Sequence, residues 1–433
     1  MYSAPFPLAA TVKALRSEQI GLETYINDIC ARIEATEPYI EALLPEENRR
    51  GRLLNEAVAL QKRFPDPARR PALYGALLGV KDLFHIDGFA THAGSKLPPE
   101  VFHGPEASCI RKLREAGALI LGLTVAAEFA YFEPGTTRNP HNPEHTPGGS
   151  SSGSAAAVVA GYCQLALGTQ TSGSIVRPAA FCGVIGFKAT YGRIATDGLI
   201  FCAPTLDTLG YFTQDLAGLQ LVAPLLCQGW QPVASLPTKP VLGIPEGPYL
   251  ALASSEALAV FERQVAVLEK AGYTLRRVPI FQDIDAIHHR HMRLVCAEMA
   301  RTHADWFGQY ELLYRPRTTQ AIHEGLAISY PEFDLYRASP GALRTEIETL
   351  MESAGIDLWI CPSAVGPAPA SIATTGDAAM NVPWTHAGLP TISLPVGSAA
   401  NGLPLGLQCI GRFQCDEYLL AWAPGLAEAL GMV

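Results

Sequence analysis

Two loops rich in glycine and serine, set inside otherwise apolar sequence, constrain this chain more than any other feature. They are Thr146-Pro-Gly-Gly-Ser-Ser-Ser-Gly-Ser154 and Gly168-Thr-Gln-Thr-Ser-Gly-Ser-Ile-Val-Arg-Pro-Ala-Ala-Phe-Cys-Gly183. Without bulky side chains a backbone can approach a ligand closely and turn several N–H groups toward one point. Such a nest holds an anion, either a phosphate or a transient oxyanion. A flexible linker would have the same composition, but linkers are not flanked on both sides by apolar α/β sequence. The phosphate reading lacks both the G-x-x-x-x-G-K-[ST] order and the G-x-G-x-x-G order. An oxyanion site is the reading that remains.

The flanking sequence sets the fold class. In the amino-terminal part, Leu22, Ile26, Ile29 and Ile33 recur at helical spacing, as do Leu53, Leu54, Ala57 and Leu60. After Pro71 the texture changes to short apolar runs, Leu77 to Val80, Ala118 to Leu123 and Leu165 to Leu167, alternating with small-residue helices and Gly-rich turns. That is an α/β pattern. Farther on, Pro240 to Ile244, Ser255 to Ala271 and Tyr273 to Val278 read as strand, helix and strand. Asp283 to Phe307 reads as a longer helix, and Gln309 to Pro340 as short helices and loops bordering a substrate entrance. Leu358 to Cys361 and Thr391 to Val396 read as buried strands, and Glu417 to Leu430 as a closing helix. No repeat or low-complexity linker divides the 433 residues, so one continuous domain is expected. Its regions are 1–70 (helical), 71–215 (the core with both loops), 216–350 (variable) and 351–433 (the rest of the core).

Composition narrows the partners. Thirty-two Lys and Arg against 41 Asp and Glu give a net charge of -9, which disfavours nucleic acid or an anionic membrane. No run of about 18 apolar residues is present, and Met1 to Ala10 lacks the pattern of a secretory signal. The ten cysteines are scattered without C-x-x-C or paired ligand spacing, as in a cytoplasmic enzyme with reduced thiols.

The loops closely resemble those of the amidase signature family, which read approximately P-G-G-S-S-G-G-S and G-T-D-T-G-G-S-I-R-x-P-A-A-F-C-G. Leu78-Gly-Val-Lys-Asp-Leu-Phe84 and Thr91-His-Ala-Gly-Ser95 resemble the family's lysine segment, and Thr137-Arg-Asn-Pro-His-Asn-Pro143 its approach to the first serine. Gly186-Phe-Lys-Ala-Thr-Tyr-Gly-Arg193, Thr205-Leu-Asp-Thr-Leu-Gly210, Met380-Asn-Val-Pro-Trp-Thr-His-Ala-Gly-Leu-Pro390 and Gly402-Leu-Pro-Leu-Gly-Leu-Gln408 continue the match. The resemblance implies an α/β/α sandwich around a large mixed, twisted sheet. It also implies a catalytic set of Ser174 as nucleophile, Ser150 as a bridging serine after a cis peptide, and Lys81 as base. The backbone N–H groups of Thr171, Ser172, Gly173 and Ser174 would form the oxyanion hole, where losing one donor typically costs about 3 kcal/mol. No metal or organic cofactor is required.

Elementary chemistry agrees with that set. A serine hydroxyl is a poor nucleophile until a neighbour takes its proton, and a lysine can do so once burial lowers its pKa. Lys81 follows the apolar run Ala76 to Val80, and Asp82 beside it points to the opposite face if the segment is a strand. Three positions depart from the family pattern: Gln170 stands for Asp, Ser172 for Gly, and the Arg lies at Arg177 with Val176 in its usual place. Ser152 also replaces a glycine. Gln170 and Arg177 are expected to rearrange a polar network around an intact backbone hole.

Other residues invite site readings. His288, His289 and His291 share a predicted helix, but no third ligand or H-E-x-x-H pattern accompanies them, so a solvated or partly packed face is expected. Tyr131, Gly149 and Trp384 are candidate substrate contacts. Gly376, Asp377 and Trp384 resemble the family's carboxy-terminal segment, Trp384 is equally readable as core, and Phe129 and Phe132 share the ambiguity of Tyr131.

The expected activity is hydrolysis of a small carboxamide, anilide or carbamate, with esters also accessible to the same chemistry. Alternatives are a glutamine-hydrolysing amidotransferase subunit that passes ammonia to a partner, and a non-catalytic scaffold. Oligomeric state is open, and a homodimer is compatible with the sequence.

Overall fold

The apolar runs become strands whose alternate residues enter different cores. A computed structural model describes residues 2–233 and 239–432. Its strands are β1 (Leu77–Lys81), β2 (Leu119–Thr124), β3 (Leu165–Gln170), β4 (Ile185–Lys188), β5 (Thr208–Thr213), β6 (Leu242–Glu246), β7 (Leu275–Pro279), β8 (Leu358–Pro362), β9 (Thr391–Leu394) and β10 (Leu407–Ile410). They form one 10-stranded sheet in the order β2-β1-β3-β5-β4-β9-β10-β8-β6-β7. The pairs β2-β1-β3 and β8-β6-β7 are parallel and those between are antiparallel, so the sheet is mixed.

Side-chain alternation explains the layering. Leu78, Val80, Ile120, Leu165 and Leu167 enter one core, shared with Cys109, Ile110 and Leu113 of the helix Ser108–Glu115 and Leu219 and Val222 of the helix Leu216–Leu226. Leu77, Leu119, Leu121 and Ala166 enter another. That second core holds the predicted amino-terminal stripe Leu22, Ile26, Ile29 and Ile33, together with Leu53, Ala57 and the alanines of the helix Ser152–Val159. Helices therefore cover both faces, giving the α/β/α arrangement. Leu77, Gly79 and Lys81 share one parity along β1, which aims Lys81 toward the face that carries the Ser152–Val159 helix.

The sheet edge β7 is defended by Arg276, Arg277 and Pro279 rather than by burial. The predicted helix over 283–307 is broken at His303 into Ile284–Thr302 and Ala304–Tyr310. The stretch read as short helices and loops instead runs into a 24-residue helix, Tyr330–Ser353. Its start is fixed by a capping box between Ser329 and Glu332, and its buried face is sparse: Phe333, Tyr336, Leu343, Ile347 and Met351. A sparse face and an internal Pro340 hide such a helix from periodicity. Among the described residues no helix is long and apolar enough to cross a membrane.

The helix Ser152–Val159 is docked through Gly153, whose N–H donates to the Val125 carbonyl at 2.9 Å. A Cβ there would collide with the Ala42 carbonyl oxygen and the Val125 backbone. Gly153→Ala should therefore destabilise the fold by about 1–3 kcal/mol or more through overpacking against immovable backbone. Urea denaturation measures this, and an unchanged midpoint would contradict the docking described.

Candidate active site

Lys81 ends β1 fully buried, and its Nζ lies 2.8 Å from Ser150 Oγ, 2.7 Å from Thr169 Oγ1 and 3.4 Å from the Thr169 carbonyl. Among the described residues no carboxylate touches the amine. Burial removes the water that would stabilise an ammonium and pulls the Lys81 pKa down to about 7, against a smaller upward pull from Asp207. Asp82, the turn residue that follows β1, is engaged elsewhere. Its carboxylate accepts the N–H groups of His92 (2.8 Å) and Gly94 (3.0 Å), on the side of a separate cavity lined also by Glu37 and Arg49.

Ser150 follows a cis peptide bond from Gly149, as the resemblance implied. The two small-residue loops are tied to each other at several points. Ser151 Oγ donates to the Thr169 carbonyl (3.1 Å), and Arg177 Nη2 donates to the Gly149 carbonyl (2.6 Å) and Thr375 Oγ1 (3.2 Å). Arg177 Nη1 reaches the Gly376 carbonyl at 2.9 Å. Gln170 accepts the N–H groups of Ile175 (2.7 Å) and Val176 (2.9 Å) and donates from Nε2 to Thr385 Oγ1 (2.8 Å). The departures at 170 and 177 thus build the polar support of the loops, Gln170 holding the start of the helix Val176–Cys182 and Arg177 holding the peptide before Ser150.

Thr171, Ser172, Gly173 and Ser174 are buried, and among the described residues their backbone N–H groups donate to no protein acceptor. Buried amides without a partner are rare. Here four such residues stand in succession, ending at Ser174. Ser174 stands at the end of this run, and no hydrogen bond joins it to Ser150 among the described residues. Catalytic hydrogen bonds are often long before substrate binds and tighten afterwards.

Asp207 escaped sequence reading although its segment was matched. It accepts Thr171 Oγ1 (2.5 Å) and the N–H groups of Cys202 (2.8 Å) and Ala203 (3.0 Å), and burial raises its pKa to about 6. It holds the side chain of Thr171 and exerts the larger of the two upward pulls on the Lys81 pKa. The motif histidines stand elsewhere: His92 lines the Asp82 cavity, and His145 Nδ1 pairs with the Ala368 carbonyl at 2.7 Å.

A cavity of about 710 Å³ opens beside the nest, lined by Ser172, Phe132, Leu252, Met292, Val382 and Asp377 among others. His288 also faces it, from the helix Ile284–Thr302. Residues 309–340 supply none of the lining. They brace the loop that carries Phe132, Arg317 donating to the Phe132 carbonyl (2.9 Å) and Thr318 Oγ1 to Glu128 (2.6 Å).

Two candidate substrate contacts lie outside the lining of this cavity. Trp384 is fully buried, donates from Nε1 to Tyr249 OH (2.8 Å) and packs on Phe281 and Trp359, so it is core. Tyr131 is half-buried against the main core and outside the lining, while its neighbour Phe132 faces the cavity. Gly149 lies against Thr375, where a Cβ would collide, so it serves close loop packing. The histidine helix is also not uniform: His289 is exposed and His288 half-buried, but His291 is fully buried with Nε2 2.8 Å from Ser172 Oγ.

Comparison with known proteins agrees with this geometry. A family model described as Amidase matches residues 24–420. A glutamyl-tRNA(Gln) amidotransferase subunit from Nitratidesulfovibrio vulgaris (strain DP4) is 42% identical over 223 residues, 50% of this chain and 44% of that protein. Its counterpart from Synechococcus sp. (strain WH7803) is 31% identical over 471 residues, covering 92% of each chain. A crystal structure of an amidase superposes with a TM-score of 0.89 at 29% identity, over 98% of this chain and 100% of that one. With the sheet order, the paired loops and these likenesses in agreement, the chain belongs to the amidase signature family of hydrolases acting on carbon–nitrogen bonds.

Proposed function

We propose that this chain is an amidohydrolase of a small, largely apolar carboxamide, anilide or carbamate, with Ser174 carrying the acyl group. The observation behind this reading is the Lys81–Ser150 contact at 2.8 Å beside four successive amides that have no protein acceptor among the described residues. A neutral lysine has two N–H donors and one lone pair. With the two Thr169 oxygens taking the donors, the lone pair faces the Ser150 hydroxyl.

The steps follow from that polarity. Ser150 passes its proton to Lys81 as it takes the proton of Ser174, whose oxygen attacks the carbonyl carbon. The carbonyl electron pair moves onto oxygen and is held by the amides of residues 171–174. The proton returns through Ser150 to the leaving nitrogen as the C–N bond breaks, leaving an acyl-Ser174 ester. Water then attacks the ester along the same path, and the acid departs.

The cavity supports the apolar acyl preference. Phe132, Leu252, Met292, Pro369 and Val382 line it, its ionisable groups are His288 and Asp377, and no Lys or Arg is among the lining residues. A glutamine substrate carries an α-carboxylate, and that charge would find no fixed cation there. The glutamine-hydrolysing reading, with ammonia passed to a partner, is favoured instead by the name of the relatives aligned over nearly the whole chain.

Hydrolysis of a panel of primary amides, anilides, carbamates, esters and glutamine separates the two. We expect the chain alone to cleave apolar-acyl substrates and to leave glutamine intact, and Ser174→Ala to stay folded and lose turnover. Ammonia release from glutamine that depends on an added partner would establish the second reading, and Ser174→Ala activity within tenfold of wild type would remove the nucleophile.

The pH dependence tests the base. Because the Lys81 pKa is lowered to about 7, the neutral, competent form is scarce below that pH and dominant above it. The kcat/KM profile should climb through one ionisation near 7 and then level off. Ser150→Ala should cut kcat by several orders of magnitude, and Lys81→Ala should remove both the limb and most activity. A limb that persists in Lys81→Ala and vanishes on exchanging His92 or His145 would point to a histidine base instead.

A further inference from the structure

A chain of side chains runs from the nest into the long helix of the variable region. Ser172 Oγ lies 2.8 Å from His291 Nε2, His291 Nδ1 lies 3.2 Å from His386 Nδ1, and His386 Nε2 lies 2.8 Å from Ser339 Oγ. Ser339 closes it by donating to the Tyr336 carbonyl at 2.7 Å. Both histidines are buried, so neither gains from charge; burial holds His386 down to about 4 and His291 well below the usual range.

The direction of every proton in this chain follows from its last link. A carbonyl only accepts, so the single Ser339 proton is committed to Tyr336, and Ser339 Oγ must accept from His386 Nε2–H. A neutral His386 then offers Nδ1 as acceptor, which His291 Nδ1–H fills. His291 Nε2 is left with its lone pair, and the Ser172 hydroxyl donates to it. At the same residue the Ser172 carbonyl accepts from Thr385 Oγ1 at 2.6 Å. The residue is therefore held on two sides, and its N–H is one of the four unpaired amides.

We propose that His291 and His386 are positioning residues that fix the oxyanion loop through Ser172. Ser172 is the position where the family pattern has glycine, which has no side chain to hold. A serine there, with a neutral histidine pair behind it, fastens the loop to the helices Ile284–Thr302 and Tyr330–Ser353. The histidines touch neither Ser150 nor Ser174 among the described hydrogen bonds, so they act on the aim of the amides and not on proton transfer. This inference rests on the reading of residues 171–174 as an oxyanion hole.

Aim matters in the transition state and little in substrate binding. Ser172→Ala and His291→Ala should each lower kcat by about tenfold or more, with KM within about threefold of wild type. The double variant should be no slower than the worse single one, because both cut the same link. Since His291→Ala leaves a hole in a packed region, Ser172→Ala is the variant that keeps the test valid if the other fails to fold. His386→Gln, which retains both a donor and an acceptor, should recover part of the loss seen in His386→Ala. A fluorophosphonate probe, whose adduct occupies the same nest, separates the levels of failure. Wild-type protein unlabelled at Ser174 would overturn the oxyanion reading itself. Labelling of wild type, together with wild-type kcat and labelling rate in Ser172→Ala, would overturn the positioning role alone, as would strictly multiplicative losses in the double variant.

Discussion

An amine sealed from water must be neutral or matched by an opposing charge, and the site is organised around how Lys81 meets that demand. Its partners are two hydroxyls and a carbonyl, all uncharged. Asp82, adjacent in sequence, is engaged by the N–H groups of His92 and Gly94, and Asp207 feels the lysine without touching it. Burial then sets the pKa near neutrality, where a base is most useful. Burial alone does not make a base, however. Lys188 is equally buried and also held near 7, but it donates to the carbonyls of Leu389 (2.6 Å) and Ala189 (3.1 Å) and has no hydroxyl to deprotonate. A lowered pKa becomes catalytic only where geometry supplies a proton to take.

That geometry depends on holding two irregular loops in register. Regular strands and helices satisfy their own backbone groups, whereas residues 148–151 and 171–174 cannot. Side chains do the work instead: Ser151 bonds Thr169, Arg177 the peptide before Ser150, Gln170 the helix start after Ser174, and Asp207 the side chain of Thr171. Among the described residues, the amides of 171–174 are left over from this scheme. Glycine is required at 153 and 149 for a different reason, since backbone or Thr375 stands where a Cβ would go.

Much of this is legible in the amino-acid sequence. Short continuous apolar runs place β1, β2 and β3, which are buried on both faces, and period-3.6 apolar spacing places the amino-terminal helices, which bury one face. Lys81, Ser150 and Ser174 are picked out by the resemblance of their segments to the family's motifs, since composition alone points only to an anion-binding loop. The contacts of His291 are not, since Ser172 lies 119 residues away and His386 95. A helical histidine beside His288 and His289 looks solvated until its neighbours are known. Trp384 misleads for the same reason, with Tyr249 deciding its role from 135 residues away. The helix Tyr330–Ser353 escapes because its buried residues are few and Pro340 interrupts the pattern.

The protonation state of Lys81 decides whether this chemistry is available at all. It can be read without substrate by labelling the lysines with 13C at Cε, assigning Lys81 by its loss in Lys81→Gln, and following its chemical shift with pH. A midpoint near 7 is the predicted result, in accord with burial among uncharged partners. A midpoint at or above the ordinary lysine value of about 10.4 would mean that Lys81 is a permanent cation, and that Ser174 is activated by something else.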